Sequence, residues 1–123
     1  MSSVLRFNTW QDAEGNLVAD TSNGVVNVLM TETSEKTASY TPVLADAGYI
    51  VNMNELGAAT FTVPTNANVA FPIGTIIGIY NQSASDVTVQ GDTGVTVRNA
   101  GPVVQYAEAS LRKRADNEWV MVG

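Results

Sequence analysis

Short runs in which apolar and polar residues take turns constrain this chain more than any other feature. Thr60-Phe61-Thr62-Val63 alternates strictly, and so do Asp86-Val87-Thr88-Val89-Gln90 and Gly94-Val95-Thr96-Val97-Arg98. A period of two places every second side chain on one side of an extended backbone, so each run reads as a half-buried strand. Thr75–Tyr80 is more continuously apolar and reads as a central strand. Glu118–Val122 reads as a closing strand whose Trp119 packs in the core or at its rim. Turn-forming clusters separate the runs: 12–16, 45–48, 81–85, 90–94, 99–102 and 115–117. The pair Val87-Thr88-Val89 and Val95-Thr96-Val97, eight residues apart, is expected to form a hairpin.

No stretch longer than about two turns keeps a 3.6-residue apolar period. The best helical candidate, Ala107–Arg114, reads better as an edge strand whose exposed end carries Arg112, Lys113 and Arg114. Charges of this kind block pairing with other chains. The expected fold class is all-β, an antiparallel β-sandwich or jelly-roll-like domain with an extended N-terminal arm. Residues 1–37 are read as arm and linker, with Val4–Trp10 against Asn16–Ala19, then Gly24–Met30, then a polar linker over Thr31–Thr37. Residues 38–123 are read as the β-sandwich domain.

Composition narrows the chemistry. The 123 residues contain no histidine and no cysteine, which removes thiol nucleophiles, disulfides, zinc ribbons and imidazole-based triads. Twelve acids against six bases give a net charge of −6. Phosphate backbones reward clustered Lys and Arg, so no nucleic-acid partner is expected, and no anionic membrane surface either. The start has no basic region followed by an apolar run, so no signal peptide is expected and synthesis is expected in a cytoplasm.

Several residues invite a chemical reading. Asp12 with Glu14, and Asp116 with Glu118, are spaced carboxylate pairs of the kind glycoside hydrolysis uses, but acids in turns ordinarily cap them. Asp12-x-Glu14-x-Asn16 offers alternating oxygens for calcium, yet its glycine is at position 15 and a later bidentate Glu is missing. Lys36 does not follow a Ser-x-x-Lys spacing. The reading is therefore of no enzyme, no catalytic residues, no metal and no cofactor. Tyr40, Tyr49, Tyr80, Tyr106 and Trp10 remain as aromatic groups able to stack on sugars or on a partner. Trp10 ends Val4-Leu5-Arg6-Phe7-Asn8-Thr9-Trp10, an apolar arm suited to docking on another chain.

Tyr40-Thr41-Pro42-Val43-Leu44-Ala45-Asp46-Ala47-Gly48 is followed in order by Val63-Pro64, Phe71-Pro72-Ile73-Gly74-Thr75, Gly94-Val95-Thr96-Val97 and Asp116–Gly123. Together these resemble a β-rich module of bacteriophage virion proteins, found in tail fibres, head fibres and capsid decoration proteins. The resemblance covers roughly residues 38–123. Leu5–Gly15 is similar to the opening of many such proteins, where it precedes the attachment region. The resemblance implies a surface and assembly part without chemistry of its own, often trimeric.

Fibres usually place a long shaft between anchor and tip, and here the anchor leads straight into the module. A decoration (cement) protein is therefore expected, on the outer capsid surface of the virion. Its partners would be the major capsid protein and itself, as a homotrimer. Leu5, Phe7 and Trp10 would anchor it to the capsid or a neighbouring protomer, and Arg6 would supply a polar contact. The other reading is a tail fibre or tip component that binds a host glycan, with loops such as Asn81–Asp86.

Overall fold

The computed structural model describes residues 9–11, 17–20, 27–28 and 30–123. The chain divides into two compact units, Met1–Met30 and Thr31–Gly123. In the first, β1 (Thr9–Gln11) pairs antiparallel with β2 (Leu17–Asp20), and β2 with β3 (Asn27–Val28).

The second unit is an all-β sandwich. Its strands are β4 (Ile50–Met53), β5 (Ala59–Val63), β6 (Ile76–Asn81), β7 (Val87–Gly91), β8 (Thr96–Arg98), β9 (Pro102–Val103), β10 (Glu108–Ala115) and β11 (Glu118–Val122). One sheet has the order β4-β6-β10-β11-β8 and the other β5-β7-β9. The chain changes sheet at every connection from β4 to β10, and only β10 and β11 form a local hairpin. Crossing to the other sheet and back lets neighbouring strands run the same way, and β4/β6, β5/β7 and β8/β11 are parallel. Both sheets are mixed, where the alternation alone suggested antiparallel pairing.

Alternation explains the core. In β5, Ala59, Phe61 and Val63 are buried while Thr60 and Thr62 are half-buried. Val51, Met53, Ile77, Ile79, Val87, Val89, Leu111, Trp119 and Met121 complete the space between the sheets. Full burial of each large apolar side chain contributes about 1.5–3 kcal/mol. Trp119 is only 1% exposed, and Phe71 meets it edge-on with centroids 5.6 Å apart.

Three expectations change. Val87–Val89 and Thr96–Arg98 do not form a hairpin. The chain switches sheets at Gly91–Val95, where Asp92 N–H donates to the Val63 carbonyl at 2.9 Å. A Cβ on Gly91 would collide with the Val95 carbonyl, so the crossing needs glycine there.

The strand with the three bases is not an edge, because β10 lies between β6 and β11. Its buried positions run Ala109, Leu111, Lys113, so the middle base points inward.

Thr31–Thr37 is not a free linker. Thr33 and Lys36 N–H groups donate to the carbonyls of Ile50 and Asn52, each at 2.8 Å, and Ile50 and Asn54 N–H groups donate back to the carbonyls of Thr31 and Lys36. Tyr40 then pairs with β5, through Thr60 and Thr62. The segment thus belongs to the sandwich and covers the β4 edge. The division falls after Met30, seven residues before the boundary the sequence suggested.

Candidate functional site

Of the residues singled out for docking, Leu5, Arg6 and Phe7 lie outside the described residues, as do Asp12, Glu14 and Asn16. Trp10 lies in β1, paired with Ala19 of β2. The second carboxylate pair is separated by the β10–β11 turn. Asp116 is exposed in that turn, while Glu118 sits on the outer sheet face, 3.0 Å from Arg114 and 3.7 Å from Arg98. Exposed ion pairs of this kind hold charge in place and add little stability.

Lys113 is the first site the sequence reading misplaced. Its side chain is 1% exposed, and its Nζ donates to Asn66 Oδ1 at 2.6 Å and to the Phe71 carbonyl at 2.7 Å. Its backbone accepts from Gly74 N–H and donates to the Thr75 carbonyl. The lysine therefore ties the loop between β5 and β6 onto the sheet beside Trp119, its cross-strand partner.

Asp46 does similar work at the short 3-10 turn Leu44–Asp46. It accepts from Val43 N–H at 2.9 Å and from the Tyr40 hydroxyl at 2.6 Å. Burial, that hydrogen bond and the nearby carboxylate charge push the Tyr40 phenol up to about 12. Lys36 Nζ lies 4.8 Å from the centre of the same ring.

The end of the sandwich around Asn81 is the most organised polar region. Asn81 is fully buried. Its Nδ2 donates to the carbonyls of Ser85 and Val103, both at 2.9 Å, and its Oδ1 accepts from Ser83 N–H at 2.8 Å. Its backbone carbonyl accepts from Tyr106 N–H at 2.6 Å. One side chain and its own backbone thus fasten the β6–β7 loop to the β9–β10 loop. Two glutamines extend it: Gln105 Nε2 donates to the backbone carbonyl of Gln82 at 3.3 Å, and Gln82 Nε2 donates to Asn52 Oδ1 at 2.6 Å. On this support stand Val104, half exposed, and Tyr106, 70% exposed with φ of 61°.

A shallow depression of about 470 Å³ lies at the β4–β5 turn, lined by Glu35, Thr37, Asn54, Glu55, Leu56 and Gly57. Asn54 donates to Glu35 there, and Glu55 Oε2 is buried without a hydrogen-bond partner. Among the described residues, no three acidic side chains come together as a metal cluster.

The alternation signalled Lys113, since it keeps the parity of Ala109 and Leu111. Tyr106 carried no signal, because nothing in the residue type announces a left-handed backbone. No protein-family model, no curated protein and no solved structure matches this chain.

Proposed function

We propose that this chain is a bacteriophage capsid decoration protein, a non-catalytic part that binds the outer surface of the assembled shell and stabilises it. The observation that carries the reading is the two-unit organisation. A β-sandwich spanning the phage-like residues begins at Thr31, directly after a separate small unit that holds the attachment-like segment. The described polar side chains that are buried also fit a structural role. Asp46, Asn81, Ser83 and Lys113 each hydrogen-bond to backbone that holds a loop.

A ligand that binds only the assembled shell stabilises it by mass action. Copies joined as a homotrimer would engage several capsid subunits at once and multiply modest contacts. Net charge −6 favours a position away from packed DNA. Leu5, Phe7 and Trp10 are the proposed anchors, with Arg6 as a polar contact.

The test mixes undecorated capsids with the full-length chain, wild type or carrying L5A, F7A and W10A together. Co-sedimentation of the wild type and its loss in the variant support the reading. Equal binding by both removes the anchor assignment. A virion holding a handful of copies, where a shell protein needs hundreds, would replace capsid decoration with a tail component.

A further inference from the structure

We propose that the Asn81 end of the sandwich is a binding site for a neutral saccharide, with Tyr106 as the stacking platform and Gln82 and Gln105 as hydrogen-bonding partners. The site is carried by the sandwich unit alone and does not depend on the capsid reading.

The first argument is strain. Tyr106 has φ of 61°, a left-handed conformation that a bulky side chain rarely adopts. Glycine would occupy it freely. Packing in the core does not account for it, because the side chain is 70% exposed. Its aromatic ring is instead held out to solvent at a backbone cost, the pattern of a ligand contact.

The second is rigidity. Tyr106 N–H donates to the Asn81 carbonyl, Ala107 N–H to the Val104 carbonyl at 3.0 Å, and Asn81 N–H to the Ala107 carbonyl at 3.2 Å. Asn81 is fully buried, so the ring stands on a fixed base. A pre-ordered tyrosine loses little freedom on binding and offers an apolar face with a polar tip.

The third is the chemistry of the loops that carry the ring. A sugar presents C–H faces and a rim of hydroxyls that both donate and accept. Carboxamides match that rim, because each carries both functions. The Gln82 carboxamide is held by Asn52 and the Gln105 carboxamide by the Gln82 backbone, and among the described residues no protein donor reaches the side-chain oxygen of either glutamine. The charged residues of segments 81–86 and 103–108 are Asp86 and Glu108, both acidic and exposed. Anionic sugars are repelled, which leaves neutral ones.

The test uses the full-length, 15N-labelled chain, titrated separately with the methyl glycosides of glucose, galactose and N-acetylglucosamine. At least one is expected to give saturable shifts at the amides of Gln82, Gln105, Tyr106 and Ala107, with millimolar affinity. Tyr106→Ala is expected to weaken binding tenfold or more, and Tyr106→Phe to retain it. An unchanged Trp119 indole resonance would show that the variants stay folded. No saturable shift at this end with any of the three overturns the proposal. So does undiminished binding by Tyr106→Ala, or equal binding of glucuronate.

Discussion

Replacing Asn81 by leucine isolates one side chain that holds two loops. The new residue has a similar volume, so the main loss is hydrogen bonding. Three backbone groups lose their partner: the carbonyls of Ser85 and Val103 and the N–H of Ser83. Leaving a buried polar group unsatisfied costs about 1–3 kcal/mol. Ser85 is half-buried and can turn to water, whereas Val103 and Ser83 are 2% and 5% exposed. Counting those two near the middle of the range gives a loss of about 4 kcal/mol. Small domains have only about 5–15 kcal/mol in total, so the change is large. Urea unfolding followed by tryptophan fluorescence and far-UV circular dichroism measures it. The midpoint is expected to fall with the slope unchanged. Amide exchange at Ser83 and Tyr106 is expected to quicken more than exchange in β10. A loss below about 1 kcal/mol, with those two amides still protected, would show that the loops hold themselves and would refute the reasoning.

Lys113→Met keeps the apolar stem and removes the amine. Because it also relieves the burial of a charge, overall stability is expected to change by less than about 2 kcal/mol, while amides over 65–74 exchange faster; unchanged exchange there would remove the tie assigned to Lys113. The contribution of Tyr40 to stability is expected to be level below pH 10 and to be lost between pH 10 and 12. The folded Tyr40 phenol titrates about 12 against an ordinary 10.0, so the folded state holds the proton that the unfolded chain releases first. Tyr40→Phe should flatten that fall in a pH series of thermal melts. Gly78→Ala would bring a Cβ within 2.8 Å of Ile50 Cγ1, a movable side chain, and should cost about 1 kcal/mol. Gly91→Ala meets the Val95 backbone and should cost more, and denaturant midpoints in the reverse order would contradict the sheet-switch geometry.

The strands themselves were legible because burying one face leaves a period of two. Phe61, Val87 and Val89 all fall where alternation puts them. Their partners were not legible. Val-Thr-Val repeated after a Gly-Asp-Thr-Gly turn looks the same whether the chain folds back or crosses to the other sheet, since both leave one face buried. Thr31–Thr37 looked like a linker because its side chains are polar, yet it pairs through backbone groups that every residue carries. Lys113 was read by its charge when its position in the alternation was the better guide. The loop end at Asn81 rests on contacts between residues more than twenty positions apart, such as Asn81 with Val103 and Gln82 with Asn52, and no local pattern encodes them.

The covering of the β4 edge has a mechanical consequence. The chain enters the sandwich at Thr31 and runs parallel to β4, then crosses to β5 at Tyr40. A pull on Thr31 along the strand axis loads the bonds to Ile50, Asn52 and Asn54 side by side, so they must fail together instead of unzipping one at a time. If those bonds yield, the bonds of Tyr40 to Thr60 and Thr62 take the load on the other sheet. The segment is a shear clamp in two stages. Tension arriving at Thr31 meets the sandwich where it is laced to both sheets. The load falls on β4 and then on β5, while β10 and β11 make none of these bonds.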